Sequence, residues 1–282
     1  MDNSLTIILP AYQEEDSISS VLDEIQAVLK SMGKEYPILV VDDGSTDKTA
    51  QLAEAKGVQV IRHGENRGYG ASLKTGIREV DTEFILIIDA DGTYDASALP
   101  EMISQMKIHD MVVGSRDWVP PSRAFAKWVL RKLANYLAET KIPDLNSGLR
   151  IIRKSLVEKY WTLLPNGFSF TTTITLASLC NGFSVKYLPV HYRQRGGKSK
   201  IQPVRNTWQF LMLIIRTIIY FNPLRVFVPV GFGFILLGIL VGLYSKLVLG
   251  NLMDVTTITS VTSGVEILMI GFLADLIAKR GR

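Results

Sequence analysis

The chain has 282 residues, of which 47% are hydrophobic and 21% are charged, and its formal net charge is +4. This mild positive charge suits a phosphate-bearing substrate or an anionic membrane surface, and it gives no reason to expect a nucleic-acid partner. Residues 1–200 have the charge content of an ordinary water-facing domain, whereas the last third of the chain is strongly apolar. The composition therefore predicts a globular domain followed by membrane segments.

Short apolar strands alternate with amphipathic helices in the first part of the chain. Strands are predicted at Leu5–Leu9, at the start of Pro37–Gly44, at Val58–Ile61 and at the start of Phe84–Gly92, with helices at Ser17–Met32 and Ser45–Lys56. Later strands are predicted at Asp110–Ser115 and Phe183–Val190. This alternation predicts an α/β fold with a doubly wound, mostly parallel sheet and flanking helices.

Acidic residues follow two of these strands. Phe84–Gly92 reads FILIIDADG, so Asp89 and Asp91 emerge at the C-terminal end of a buried strand, where ligands bind in open α/β sheets. Asp42 and Asp43 follow the strand of PILVVDDG in the same way. Carboxylate oxygens suit Mg²⁺ or Mn²⁺, and a nucleoside diphosphate would complete the shell of such an ion. A solvated acidic turn is the alternative for DADG alone, but several polar strand ends on one edge favour a binding site.

Two apolar runs follow the globular part, at Val226–Leu249 and Thr257–Ile277. Each is close to the roughly 20 residues needed to cross a bilayer, and their glycines favour membrane helices over a pair of buried core helices. Glu266 interrupts the second run, and an acid within a span normally faces a protein interior or a partner. Lys and Arg flank the two runs but do not occur in the loop between them. This bias predicts a multi-pass protein of the cell membrane with a cytoplasmic globular domain.

A basic and aromatic segment joins the domain to these runs. Val204–Phe221 has helical spacing, and its arginines and aromatic residues favour a helix in the membrane interface over a third span. Just before it, His191–Lys200 reads HYRQRGGKSK, whose cations could contact a lipid phosphate or attract anionic lipids. The predicted organisation is a globular domain at 1–200, juxtamembrane helices at 201–225 and a two-helix transmembrane hairpin with a basic end at 226–282.

Six segments carry a resemblance to a known family. They read LPAYQEE, VVDDGSTDKT, NRGYGASLKTG, IDADGTY, VGSR and DLNSGLR. In order and spacing these segments are similar to family 2 glycosyltransferases of the GT-A fold, over about residues 5–200. SGLR, RGGKSK and the membrane segments resemble more closely the branch that loads sugars onto polyprenyl phosphates, the dolichyl-phosphate mannose synthase and bactoprenol glucosyltransferase group. The resemblance implies a Rossmann-like GT-A domain at residues 1–200.

The resemblance also implies roles for individual residues. The metal ion, Mg²⁺ or Mn²⁺, would be held by Asp89, Asp91 and Thr93. The nucleotide sugar would be bound by Pro10, Tyr12, Glu14, Asp42, Asp43, Arg67, Asp89, Ala90 and Asp91. The acceptor phosphate would be bound by Arg116, Arg131, Asn135, Ser147, Arg150, Arg195, Lys198 and Lys200. The catalytic residues would be Asp89, Asp91 and Arg131.

The implied reaction is the metal-dependent, inverting transfer of a hexose from UDP-glucose or GDP-mannose to undecaprenyl or dolichyl phosphate. Such an acceptor is already an anion, so it needs little help from a general base. The residues argue against three alternatives. A glycosyltransferase with a polysaccharide or protein acceptor would in its processive form carry a QxxRW motif, which is absent. The intact Asp89 and Asp91 pair argues against a non-catalytic membrane-tethered sugar-nucleotide-binding protein, and two spans enclose no evident pathway for a small transporter subunit. The sequence also leaves the oligomeric state open, including a homo-oligomer.

Overall fold

The computed structural model describes residues 4–117, 139–167, 169–193, 219–248, 250 and 254–280, together with 132, 135, 136, 212, 215 and 216. Within these residues, seven strands form one sheet. They are β1 (Leu5–Ala11), β2 (Ile38–Asp42), β3 (Gln59–Arg62), β4 (Phe84–Ile87), β5 (Met111–Arg116), β6 (Arg150–Arg153) and β7 (Val185–Val190). Their order across the sheet is β3-β2-β1-β4-β6-β5-β7.

Helices cover both faces of this sheet. They are α1 (Ile18–Ser31), α2 (Thr49–Ala55), α3 (Tyr69–Glu79), α4 (Leu99–Gln105), α5 (Lys154–Lys159) and α6 (Phe170–Cys180). Successive residues of a strand point to opposite faces. In β1, Ile7 therefore packs in the core on the α1 side, while Ile8 packs on the side of α3 and α6. The predicted fold class, a mostly parallel sheet with flanking helices, is confirmed.

Three parallel strands at the centre of the sheet bring their C-terminal ends to one edge. β1 pairs in parallel with β2 on one side and with β4 on the other. The segments that follow Ala11, Asp42 and Ile87 therefore leave the sheet at the same edge. This arrangement is the one predicted from the polar residues at the strand ends, and it positions the candidate site.

The structure differs from the sequence prediction in several elements. β6 was not predicted, and it runs antiparallel to both β4 and β5. The helices α3, α4, α5 and α6 were not predicted either. The helix predicted at Ser45–Lys56 begins only at Thr49, because the residues before it bind other backbone groups. The Ser45 hydroxyl accepts a hydrogen bond from the Gln13 N–H at 2.9 Å, and Asp47 caps the Thr49 N–H at 3.0 Å.

Two long helices, α7 (Leu224–Val248) and α8 (Asp254–Arg280), correspond to the two predicted apolar runs. Both are long and apolar enough to cross a membrane. Gly231 of α7 lies against Leu268 of α8, and Gly242 lies against Thr257, so the two helices run antiparallel. A Cβ at Gly231 would come within 2.7 Å of the Leu268 side chain, so glycine allows this close approach.

The start of α7 is attached to the globular domain by packed contacts. Phe221 is 3% exposed, and its ring centroid lies 5.6 Å from that of Tyr160, in an edge-to-face arrangement. Arg225 donates a hydrogen bond to the Tyr136 carbonyl at 2.7 Å. Most of the helix predicted at Val204–Phe221 lies outside the described residues, so its placement in the membrane interface stays a prediction.

Candidate active site

The acid pair predicted to bind a metal lies in the loop after β4. Asp89 and Asp91 flank Ala90, whose carbonyl accepts a hydrogen bond from the Ser17 hydroxyl at 2.8 Å. Thr93 donates its N–H (3.1 Å) and its hydroxyl (2.6 Å) to Asp91 Oδ1. The loop is therefore fixed at its middle by the residue preceding α1, and the Asp91 carboxylate is oriented by Thr93.

Asp89 is enclosed by groups from two other elements. The Tyr69 hydroxyl, at the start of α3, donates to Asp89 Oδ1 at 3.0 Å. The backbone of Gly148 lies against the other carboxylate oxygen, and a Cβ at this position would come within 1.9 Å of Asp89 Oδ2. The Gly148 N–H donates to the Tyr94 hydroxyl at 2.7 Å, which holds this backbone in place. Only a hydrogen fits at position 148 while Asp89 keeps its position.

The electrostatics of the site favour a bound cation. Burial and the nearby Asp91 carboxylate raise the pKa of Asp89 to about 7. The hydrogen bond from Tyr69 and the positive charges of Arg116 and Arg150 act in the opposite direction. Burial and the charge of Asp89 raise the pKa of Tyr69 well above its ordinary value, so Tyr69 remains a hydrogen-bond donor at neutral pH. A cation at this site would keep both acids ionised.

The residues present fit a divalent ion that is coordinated partly by the protein and partly by a bound substrate. Two carboxylates supply the hard oxygen ligands that Mg²⁺ and Mn²⁺ prefer. Among the described residues, no group of three or more Asp, Glu, His or Cys side chains could hold a metal alone. Mg²⁺ is commonly bound by one or two carboxylates together with substrate phosphates. Thr93 orients Asp91, and its role as a direct metal ligand stays a prediction.

The two acids at the end of β2 occupy different environments. Asp43 is 4% exposed, and it accepts hydrogen bonds from the backbone N–H groups of Arg67 (2.9 Å) and Gly68 (2.8 Å). The His63 ring lies 2.7 Å from the same carboxylate. Asp43 therefore holds the loop that leads into α3, and its contact with a nucleotide stays a prediction. Asp42, 3% exposed, accepts a hydrogen bond from the N–H of residue 45 at 3.3 Å.

The turn after β1 is fastened to the loop after β2. Three residues predicted to bind the nucleotide lie here: Pro10 near the end of β1, and Tyr12 and Glu14 in the turn itself. The Glu14 N–H donates to the Thr49 hydroxyl at 2.8 Å. Gln13 has φ 53°, in the left-handed region that non-glycine residues rarely adopt, and its N–H donates to Ser45. Strained backbone of this kind clusters at binding sites, which supports a ligand site at this edge.

Arg116, predicted to bind the acceptor phosphate, forms an ion pair inside the domain. Its Nε lies 2.6 Å from Asp144 Oδ2, and its Nη2 lies 2.8 Å from Asp144 Oδ1. Burial alone would lower the pKa of Arg116, but the ion pair outweighs it and raises the pKa. The guanidinium also lies 5.3 Å from the centre of the Tyr192 ring. The donor fork of Arg116 is thus oriented by Asp144, and its contact with a phosphate stays a prediction.

Two further residues of the predicted acceptor site bond to backbone groups. The Ser147 hydroxyl donates to the Gly114 carbonyl at 2.5 Å. Asn135 Oδ1 accepts a hydrogen bond from the Ile142 N–H at 2.9 Å. Both side chains shape the loop between β5 and β6. Their predicted contacts with the acceptor stay predictions.

Arg150 is fully buried beneath the site. Its Nη1 donates to the Thr171 carbonyl (3.1 Å) and the Thr175 hydroxyl (3.0 Å), and its Nε donates to the Ser147 carbonyl (3.1 Å). Burial lowers the pKa of its guanidinium. This position argues against the predicted contact with the acceptor phosphate, because the guanidinium has no exposed surface. Arg150 instead braces the segment that lies against Asp89.

The remaining residues predicted for the acceptor phosphate, Arg131, Arg195, Lys198 and Lys200, lie outside the described residues. Three residues of the site were not predicted: Tyr69, Tyr94 and Gly148. Each stands inside a motif, respectively NRGYGASLKTG, IDADGTY and DLNSGLR. The motifs marked these segments, but the contacts around Asp89 depend on tertiary packing.

Comparison with known families gives two matches. Glycosyl transferase family 2 matches residues 6–161, and the GtrB C-terminal hairpin matches residues 222–279. The first match covers more than half of the chain and includes the acid pair and Gly148. The second covers α7 and nearly all of α8.

Two relatives resemble most of the chain. A dolichyl-phosphate hexose transferase of Haloferax volcanii is 26% identical over 71% of this chain and 88% of its own length. An undecaprenyl-phosphate 4-deoxy-4-formamido-L-arabinose transferase of Pseudomonas fluorescens is 29% identical over 84% of this chain and 70% of its own length.

A solved structure shares the fold. Glucosyl-3-phosphoglycerate synthase of Mycobacterium tuberculosis, crystallised with Mn²⁺, UDP-glucose and phosphoglyceric acid, aligns with a TM-score of 0.63. The alignment covers 77% of this chain and 80% of the other, at 18% identity. At this identity the likeness shows the fold alone.

Proposed function

Because the chain belongs to glycosyltransferase family 2, we propose that it transfers a hexose from a nucleotide-diphosphate sugar to a polyprenyl phosphate at the cytoplasmic face of a membrane. One observation carries the proposal: the acid pair Asp89 and Asp91 and a hairpin of two candidate membrane helices occur in one chain. The names of the two relatives, which specify dolichyl phosphate and undecaprenyl phosphate, support a lipid phosphate as acceptor.

The donor is proposed to be UDP-glucose or GDP-mannose, bound at the edge where β1, β2 and β4 end. Tyr12, Glu14 and Asp42 would contact the nucleoside, and Asp89 and Asp91 would hold Mg²⁺ or Mn²⁺ beside the diphosphate. When bound, the ion stabilises negative charge on the leaving diphosphate. The crystallisation of the Mycobacterium tuberculosis enzyme with Mn²⁺ and UDP-glucose supports this assignment.

The surrounding residues hold the two carboxylates in position before a substrate binds. Tyr69 and Gly148 fix Asp89, and Thr93 fixes Asp91, so little rearrangement is needed during the transfer. The acceptor oxygen is an anion at neutral pH, so the chain needs to position it rather than remove a proton from it. A single in-line displacement would invert the anomeric carbon without a covalent intermediate.

The acceptor phosphate is proposed to bind through cations outside the described residues, Arg131, Arg195, Lys198 and Lys200. The antiparallel arrangement of α7 and α8 supports the proposed topology, because it returns Lys279 and Arg280 to the end of the hairpin where α7 begins. Cations at that end favour its placement on the cytoplasmic side, together with the globular domain.

The test is transfer of labelled sugar to lipid by the purified full-length protein in nanodiscs. UDP-glucose and GDP-mannose are each supplied with undecaprenyl or dolichyl phosphate, and product is extracted into chloroform. We expect labelled lipid from one donor, dependent on Mg²⁺ or Mn²⁺ and absent in EDTA. Asp91→Asn should remove nearly all transfer, whereas Asp81→Asn, which changes an exposed acid preceding β4, should not. Undiminished transfer in excess EDTA would refute the metal assignment, and transfer only to water-soluble acceptors would refute the lipid acceptor.

A further inference from the structure

Arg193, which follows β7, forms ion pairs with acids from two other parts of the domain. Its Nη1 lies 2.8 Å from Glu24 Oε1 in α1, and its Nη2 lies 3.1 Å from Asp95 Oδ2, at the end of the loop after β4. A guanidinium can bond to two carboxylates at once because its donors form a planar fork. Partly exposed ion pairs such as these contribute little to stability, so their main consequence is to fix the position of residue 193.

The backbone at Arg193 crosses the loop that carries the acid pair. The Arg193 N–H donates to the Thr93 carbonyl at 2.8 Å. The preceding residue, Tyr192, forms an isolated antiparallel bridge with Tyr94. Thr93 in turn donates its own N–H and its hydroxyl to Asp91. The segment after β7 is therefore bonded to the residues that shape the candidate metal site.

The ring of Tyr192 extends this contact to Arg116. Its centroid lies 5.2 Å from that of the Tyr94 ring, in an edge-to-face arrangement. The Arg116 guanidinium lies 5.3 Å from the centre of the Tyr192 ring, within the range of a cation–π interaction. Asp144 holds the same guanidinium through two hydrogen bonds. Tyr192 and Asp144 together therefore define where Arg116 lies.

We propose that Arg193 is a positioning residue for the acceptor phosphate. By pairing with the two acids, its side chain holds the segment after β7 across the loop after β4 and keeps the Tyr192 ring against Arg116. The inference rests on the proposed function, in which a lipid phosphate binds beside this segment. Arg116 is predicted to contact that phosphate, and Arg195, one of the cations proposed to bind it, follows Arg193 by two residues.

Transfer kinetics of the full-length protein in nanodiscs test this role. Arg193→Ala should raise the KM for the lipid phosphate about fivefold, equivalent to ~1 kcal/mol, because two partly exposed ion pairs are lost. The KM for the sugar nucleotide and the Mn²⁺ affinity should stay within about twofold of the wild type. The reason is that the Thr93 N–H and hydroxyl still orient Asp91 after this substitution.

Two further variants test whether the ion pairs carry the effect. Arg193→Lys keeps a positive charge but lacks the planar fork, so it should restore only part of the affinity for the lipid phosphate. Glu24→Gln leaves the pair with Asp95 in place, so it should raise the same KM less than Arg193→Ala does. Combining Glu24→Gln with Arg193→Ala should add nothing, because both changes act through one contact.

Arg153 provides a matched control. It is also a partly exposed arginine paired with two acids, Glu83 and Asp110. It ends β6 opposite Phe84, the first residue of β4, so it lies at the other end of that strand from the acid pair. Arg153→Ala should therefore lower the free energy of unfolding at least as much as Arg193→Ala and leave the KM for the lipid phosphate unchanged.

Three kinetic results would overturn the inference: an unchanged KM for the lipid phosphate in Arg193→Ala, an equal rise in the KM for the sugar nucleotide, or the same rise in Arg153→Ala. Hydrogen exchange at the Arg193 amide needs no turnover and separates the inference from the proposed reaction. This amide should exchange about fivefold faster in Arg193→Ala, because the segment opens more often. Wild-type exchange in the variant would overturn the inference, whereas faster exchange in a protein whose wild type transfers no sugar would count against the reaction alone.

Discussion

Replacing Gly148 with alanine should disable the metal site while the domain stays folded. A Cβ at this position would lie 1.9 Å from Asp89 Oδ2, whereas ordinary contact begins at 3.4 Å, so one of the two groups must move by roughly 1.5 Å. A displacement of about 1 Å can cost about 100-fold in rate. We therefore expect sugar transfer to slow by at least about 100-fold, or ~2.7 kcal/mol in activation free energy. Overpacking should lower the free energy of unfolding by about 1–3 kcal/mol.

Two further variants separate displacement of Asp89 from general damage. Gly64→Ala adds a methyl group where no atom lies within 4 Å, so it should match the wild type. Gly148→Ala combined with Asp89→Ala removes the clash, so this protein should regain stability and remain inactive. The measurements are initial transfer rates, Mn²⁺ affinity by electron paramagnetic resonance and urea unfolding. If Gly148→Ala kept the wild-type rate and Mn²⁺ affinity, the proposed dependence of the metal site on this contact would be refuted.

Three other changes probe the acids and the core. In EDTA, the folded state should hold a proton on Asp89, whose pKa is about 7, that the unfolded chain has already released. The free energy of unfolding should therefore fall as pH rises from about 4 to 7, and urea titrations of Asp89→Asn should lack this contribution. Asp43→Ala leaves two backbone N–H groups without their carboxylate and should lower the free energy of unfolding by about 1.5–3 kcal/mol. Phe221→Ala should lower it by about 3–5 kcal/mol, against about 0.5–1.5 kcal/mol for Tyr220→Ala, whose half-exposed ring packs on that of Phe221; equal losses would contradict the anchoring role of Phe221.

The strand-end acids could be predicted from sequence because each signal is local. A buried β-branched run followed by carboxylates specifies both the strand and the end at which Asp42 or Asp89 emerges. Parallel pairing then brings these ends to one edge without further information. The environment of each acid could not be read in this way. Asp42 and Asp43 are adjacent in sequence, yet only Asp43 is bound by the backbone of the loop before α3.

Two of the missed elements, β6 and α6, lack the local patterns on which sequence analysis depends. β6 has only four residues, and it begins with Arg150, a charged residue that is fully buried. α6 reads FTTTITLASLC, which is rich in β-branched residues that favour strands, and it is buried on nearly every side. Its hydroxyl groups bond back to carbonyls of the same helix, as Thr175 does to Thr171 at 2.7 Å. A helix buried all round shows no polar face, so its sequence gives no amphipathic signal.

The buried ring of Phe221 attaches the start of α7 to the domain that carries the acid pair. Only Asn222 and Pro223 lie between this ring and the first residue of the helix. A flexible tether would let the domain sample many heights above the bilayer, so acceptor phosphates at many depths could reach the acid pair. A packed junction instead holds the domain at one height above the bilayer. In the proposed membrane setting, we therefore expect this junction to hold the acid pair at a fixed height above the bilayer, so that only a phosphate presented at that depth can reach it.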